Sequence, residues 1–156
     1  MEVWETTKEI LLNKVVIFPL IAYFTAQILK LVLRALGYPS RKEHPFLLES
    51  GGMPSAHTAV VTALVLTVGA SCADGVKSGL FGVSVVFAAI VIYDAIYVRG
   101  RADRQAVVLN KIVDLFPKLK RDKFKRLKTQ EGHTYLEIAG GIVWGIILTL
   151  FLLWVT

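Results

Sequence analysis

Charge-free apolar runs alternate along this chain with stretches that collect its Lys, Arg, Asp and Glu. Four runs carry no charged residue: 15–29, 58–73, 78–93 and 138–156. The last, 19 residues long, makes about 28 Å of helix, close to the hydrocarbon thickness of a bilayer. The other three make about 24 Å at most and must borrow flanking residues to span. The pattern predicts an all-α, polytopic membrane helix bundle in one domain, with about four transmembrane helices near 12–34, 55–73, 77–97 and 134–156. A fifth helix is expected over 103–116. There Val108, Ile112, Leu115 and Phe116 recur at helical spacing with Val107 and Leu109 widening the face, an amphipathic pattern suited to the membrane surface. Pro117 should end it, and Pro19 should kink the first span. Gly141 and Gly145, four apart on the last span, predict a close helix–helix contact.

Composition agrees with the pattern. Over 156 residues, 54% hydrophobic content and a mean hydropathy of +0.58 are too apolar for an ordinary soluble domain, and the length is too short for two. The net charge of +6 could suggest nucleic acid, but the basic residues gather between apolar runs, as membrane insertion asks. Lys30, Arg34, Arg41 and Lys42 follow the first span, and a larger group from Arg99 to Lys128 follows the third. Both connections are therefore expected in the cytoplasm, with both termini outside. The basic stretch 118–128 reads as a solvated positive-inside loop with an attraction for anionic lipid headgroups. The single Cys72 excludes an intrachain disulfide and a cysteine metal cluster. Glu2, Glu5 and Glu9 stand where a cleavable signal peptide would carry basic charge, so the first span is expected to remain.

The chemistry gathers at span ends. Ser50-Gly51-Gly52-Met53-Pro54-Ser55-Ala56-His57 opens the second span. Two glycines, a proline suited to a first helical position and a serine hydroxyl can form a phosphate cradle, with His57 one turn in; an ordinary loop-to-helix junction is the plainer reading. His133 and Glu137 open the fourth span, and on a helix their i,i+4 spacing lets the carboxylate orient the imidazole as a nucleophile. A metal half-site, an exposed ion pair and simple interfacial polarity are the alternatives, the metal lacking further ligands. Arg99, Arg101 and Arg104 after the third span, and Lys30 after the first, offer donors for a phosphoryl group or serve as interfacial anchors. Alternating helix directions put all these clusters on one membrane face, at headgroup depth.

Pro54-Ser55-Ala56-His57 with Gly132-His133 and Glu137 resembles the type 2 phosphatidic acid phosphatase superfamily, which includes the vanadium haloperoxidases. Tyr93-Asp94-Ala95, Val98-Arg99, Gln105-Ala106 and Leu109-Asn110 make it similar to a small divergent branch, over about 27–141. The resemblance implies a metal-independent phosphatase with no cofactor: His133 as nucleophile forming a phosphohistidine, Glu137 orienting it, His57 as general acid, Ser55 and Gly52 among the phosphate holders. Ala56 and Glu137 replace the usual Gly and Asp. The superfamily's Lys-x6-Arg-Pro motif is absent, since Gly37 lies seven after Lys30, and Leu127 stands where an arginine is usual. Phosphate clamping is thereby reassigned to Arg99 with Lys30 and one of Arg101, Arg104, Arg126 or Lys128. The implied substrate is a lipid phosphate, phosphatidylglycerophosphate or phosphatidic acid ahead of polyprenyl pyrophosphate, processed on the cytoplasmic side of a cell or organellar membrane. Two other readings stand beside it: a lipid-phosphate binding or translocating protein, for which a homo-oligomer would be needed, and a structural membrane component whose basic loop docks a partner.

Overall fold

A computed structural model describes residues 12–38, 52–116 and 132–156, with Trp4, Lys8, Glu9, Arg126, Leu127 and Thr129. Ser50 and Gly51 of the octet, Arg41, Lys42, Pro117, residues 118–125 and Lys128 lie outside the described residues. The described residues are helical, with no strand among them. Helix α1 (Lys14–Ala35) opens on Asn13, whose side-chain oxygen accepts from the Val15 N–H at 2.9 Å. Pro19 lies in its second turn without ending it. Helix α2 (Ala56–Ser71) is capped by Ser55, and helix α3 (Gly79–Tyr93) by Ser78, whose hydroxyl oxygen accepts from the Phe81 N–H at 3.1 Å. A 3-10 turn, Gly75–Lys77, joins them.

The first departure from expectation comes after α3. The helix expected over 103–116 is present as α4 (Arg99–Leu115), but not as a separate element: α3 continues into it through a π-helical segment, Asp94–Val98, in one unbroken run of 37 residues. No proline interrupts 94–115, and a π segment accommodates the extra residue without ending the helix. At about 55 Å the run exceeds any hydrocarbon core, so its charged second half stands beyond the apolar layer. Phe116 ends α4 in an extended conformation (φ −112°, ψ 99°), the one that a following proline favours. Of the described residues that follow, Arg126, Leu127 and Gly132 lie back against α4. Arg126 Nη2 reaches both carboxylate oxygens of Asp114 at 2.7 Å, the Asn110 side chain bonds both the N–H and the C=O of Leu127 at 2.9 Å, and Asp103 accepts from the Gly132 N–H at 2.7 Å. This return delivers His133 to the start of helix α5 (Tyr135–Val155).

The bundle is arranged around α2. Helices α1, α3 and α5 pack on it and α1 also meets α5, whereas α3 has at most marginal contact with α1 and α5. Small residues make the close approach possible: Ala22 and Ala26 of α1 lie against Ala56, Ala59 and Ala63 of α2. On the other side the expected glycine contact is present. A Cβ on Gly141 would stand 2.5 Å from the Ser55 carbonyl oxygen, and one on Gly145 2.8 Å from that of Ala59. Some of the polar groups inside are bonded within a helix and others between helices. Thr67 donates to the Ala63 carbonyl at 2.7 Å, and Trp144 Nε1–H donates to Thr25 Oγ1 at 3.1 Å, linking α5 to α1.

Outward faces carry large apolar side chains instead. Leu20, Phe24, Ile28, Val83, Phe87, Ile90, Ile147 and Phe151 are all exposed, a surface that asks for lipid rather than water. Helix α1, the α3–α4 run and α5 are each long and apolar enough to cross a membrane; α2, with 16 residues, is shorter.

Candidate functional site at the mouth of the bundle

His133 is held by its backbone before its side chain is considered. In Gly132-His133-Thr134 all three amides are bonded, each to a different element: Gly132 to Asp103 on α4, His133 to the Ala95 carbonyl at 3.1 Å, and Thr134 to Glu137 Oε2 at 2.9 Å. The π segment supplies the middle acceptor. The Arg99 N–H, which in an α-helix would bond Ala95, bonds the Asp94 carbonyl instead, and Ala95 turns its oxygen to His133. Gly132 packs so tightly on Gly100 that a Cβ would sit 2.8 Å from the Gly100 Cα. The imidazole of His133 is buried at 7% exposure, and its centroid lies 6.2 Å from that of exposed His57, the rings at 86°. Two histidines 76 positions apart (57 and 133) thus share one mouth.

The octet and Glu137 are used differently from expectation. His133 precedes the helix, with Thr134 as N-cap, so His133 and Glu137 do not share a helical face. Glu137 closes a capping box with Thr134, and its other oxygen accepts from the Gly52 N–H at 3.2 Å. The amide expected to face a phosphate therefore holds a carboxylate of the protein itself. Gly52 adopts φ +82°, which favours glycine. Ser55 is fully buried. Its hydroxyl oxygen caps α2, accepting from the Thr58 N–H at 3.4 Å and from the Thr58 hydroxyl at 3.0 Å, and its N–H donates to the Glu137 carbonyl at 2.9 Å. Ser55, expected among the phosphate holders, is placed as the cap of α2, and Pro54 stands before that cap rather than at the first helical position. The octet is a joint between α2 and α5.

The cations divide around the histidines. Lys30 is buried at 5% exposure and passes under Gly52, whose missing Cβ would lie 3.8 Å from the lysine Cδ. The charges of Arg99, Lys30 and Asp94 all act on His57. Arg99 is not a free clamp, since its Nε donates to Asp94 Oδ2 at 2.9 Å, though both side chains stay about 40% exposed (39% and 41%). Arg104 lies elsewhere, in a cleft of about 590 Å³ lined by Ile96, Tyr97, Gly100, Asp103, His133 and Tyr135 among others. Arg101 is exposed on α4 and lines neither group. Arg126 is tied to Asp114 near the far end of α4. Among the described residues, no three of His, Cys, Asp and Glu gather as a metal site.

The sequence pattern that joins these parts has known relatives. The model of the Divergent PAP2 family matches residues 11–148, from the start of α1 nearly to the end of α5, both histidines included. The chain belongs to that family. It is similar, at 39% identity over 156 residues, to an uncharacterized membrane protein of Bacillus subtilis (strain 168), YuiD, with 92% of this chain and 96% of that one covered. No solved structure matches the chain. The chain is thus a PAP2-related membrane protein. Its site contains three features that sequence reasoning missed: the Ala95 carbonyl, the Gly100–Gly132 contact, and Asp103 as the acceptor for the Gly132 amide. The Thr134-x-x-Glu137 spacing was a legible capping-box signal; a turned carbonyl in a π segment has none.

Proposed function

We propose that this protein is an integral-membrane phosphatase of lipid phosphates that works through a phosphohistidine on His133. The observation that carries the reading is the His57–His133 pair, 6.2 Å between centroids, with Lys30 and Arg99 acting on the same spot. A phosphoryl group set against both rings can take a nitrogen nucleophile from one and give its leaving oxygen a proton from the other. A ring nitrogen of His133 forms the N–P bond, the ester P–O bond breaks with its electron pair going to oxygen, and His57 protonates that oxygen as the lipid alcohol leaves. Water then attacks phosphorus, His57 takes its proton, and the N–P bond breaks to release phosphate and restore both histidines. Lys30 and Arg99 stabilise the equatorial oxygens throughout. Glu137 supports the reaction at one remove, by locking Thr134 and Gly52 in place.

The site's expected place on the cytoplasmic side favours lipid monophosphates with a small headgroup, phosphatidylglycerophosphate or phosphatidic acid, ahead of polyprenyl pyrophosphate. The test is phosphate release from these three by protein purified in detergent with chelator present, with His133→Ala alongside. Release that needs His133 supports the reading; release that survives the substitution, or that chelator abolishes, overturns the mechanism. Sidedness is checked by labelling a cysteine placed in the basic loop of intact cells, expected to be protected from outside.

A second reading has its own support. The Gly52 amide, the Ser55 hydroxyl and Arg99 already have partners within the protein, which suits a lipid-phosphate binder without turnover. Lipid phosphate bound with no release from any of the three would favour it.

A further inference from the structure

Between α3 and α5 the bundle has a seam, because both pack on α2 and scarcely on each other. The cleft lined by His133 lies at the top of that seam, with Ile96 and Tyr97 of the π segment on one wall and Thr134 and Tyr135 of the α5 start on the other. Tyr97 and Tyr135 thus stand on opposite walls. Both rings are exposed, Tyr97 stacks on exposed Tyr93 with centroids 4.8 Å apart, and Val98 and Leu136 beside them are exposed as well. Tyr135 lies 19 residues from Trp154, which is 82% exposed at the other end of α5; about 28 Å of helix separates these two aromatics, the spacing of the two membrane interfaces. The cleft therefore opens sideways at the boundary between hydrocarbon and headgroups.

The lining changes character in the same direction as a lipid does. Ile96 and the two tyrosine rings are lowest, and Asp103 and Arg104 stand seven residues, about 10 Å, further along the helix, where the headgroup layer lies. A soluble phosphate would need no apolar entrance, and a bare hydrocarbon would have no use for Arg104. We propose that this cleft is the side entrance by which a lipid phosphate reaches His133 from the bilayer, its chain in the α3–α5 seam between Tyr97 and Tyr135. The inference of passage to a reacting His133 rests on the lipid-phosphatase reading; occupation of the seam does not.

The test uses the full-length protein in phosphatidylcholine vesicles containing phosphatidic acid with a diazirine in its acyl chain. Ultraviolet adducts are expected on the cleft wall, at Ile96, Tyr97 and Tyr135. In a Cys72→Ala background, Tyr97→Cys with Tyr135→Cys joined by a short bis-maleimide should lose the adducts at Ile96. The joined protein should also lose release from long-chain phosphatidic acid while keeping release from a water-soluble, short-chain one. Adducts spread evenly over the lipid-facing helices, or an Ile96 yield that ignores the bridge, overturns the entrance. Adducts that obey the bridge in a protein releasing no phosphate leave the seam standing and defeat the phosphatase reading instead.

Discussion

Two glycine-bearing turns meet at the mouth of this bundle, and they serve opposite ends. The Gly52–Ser55 turn has its polar groups directed into the protein: the Gly52 amide to Glu137, the Ser55 amide to the Glu137 carbonyl, the Ser55 hydroxyl to the α2 start. It leaves to solvent the Met53 side chain and, just beyond the turn, His57. The Gly132–Thr134 turn likewise bonds all its amides, but to three elements, and holds a buried imidazole between them. The Gly52–Ser55 turn has the form of an anion cradle and acts as a joint; the Gly132–Thr134 turn has the form of a simple approach to a helix and acts as a mount. The lesson is that free amides mark an anion site only after their internal acceptors have been counted, since one well-placed carboxylate can occupy the same position.

Removing each histidine gives the largest contrasts. On the proposed mechanism His133→Ala should take phosphate release to background, since it removes the ring nitrogen assigned to the N–P bond. His57→Ala should cost about 10²- to 10⁴-fold on a lipid phosphate, the usual contribution of a general acid. An aryl phosphate, whose leaving group needs no proton, should be spared most of that loss. Comparing the two substrates in one variant separates the roles: an equal loss on both would contradict the assignment of His57 as acid.

The joint comes next. Glu137 serves two amides with two oxygens, so Glu137→Gln leaves one N–H facing an NH₂ group. An amide deprived of its acceptor costs about 1–3 kcal/mol, and the loss should appear in thermal unfolding as well as in turnover. Glu137→Asp, a methylene shorter, should keep the Thr134 bond and lose Gly52. If Glu137 instead acted on the chemistry alone, Glu137→Gln would lower turnover with unfolding unchanged.

Much of this could be read from the residues. Apolar run lengths lead to helices at Lys14–Ala35, Ala56–Ser71, Gly79–Tyr93 and Tyr135–Val155, because a membrane span is a composition signal that needs no partner. Gly141 and Gly145 could be read as a contact because their spacing is local to one helix. The failures are non-local. Nothing around Ala95 announces that its carbonyl will turn to residue 133, and Gly132 gives no hint that its neighbour is Gly100. Glu137 was legible twice, as an i,i+4 partner of His133 and as the fourth residue of a capping box. The cap prevails because it satisfies two backbone amides at a helix start, where donors otherwise lack partners.

The mount should yield more gently than the joint. Asp103 holds the Gly132 N–H, and the neighbouring attachment at Ala95 remains when that bond is lost. Asp103→Ala should therefore lower turnover by about tenfold, the kinetic equivalent of a net bond of about 1.4 kcal/mol. Asp103→Asn should recover most of the loss, because its side-chain oxygen still accepts. The conservative variant is the discriminating one. Asp103 also stands beside Arg104 in the cleft, and if its charge rather than its hydrogen bond mattered, Asp103→Asn would fail as badly as Asp103→Ala. Arg101→Ala supplies the floor of the series: exposed and outside both cation groups, it should change release less than about twofold, in line with exposed charges elsewhere. A loss at Arg101 equal to that at Asp103 would mean that α4 acts through its surface charge and that the return of the chain along it is incidental.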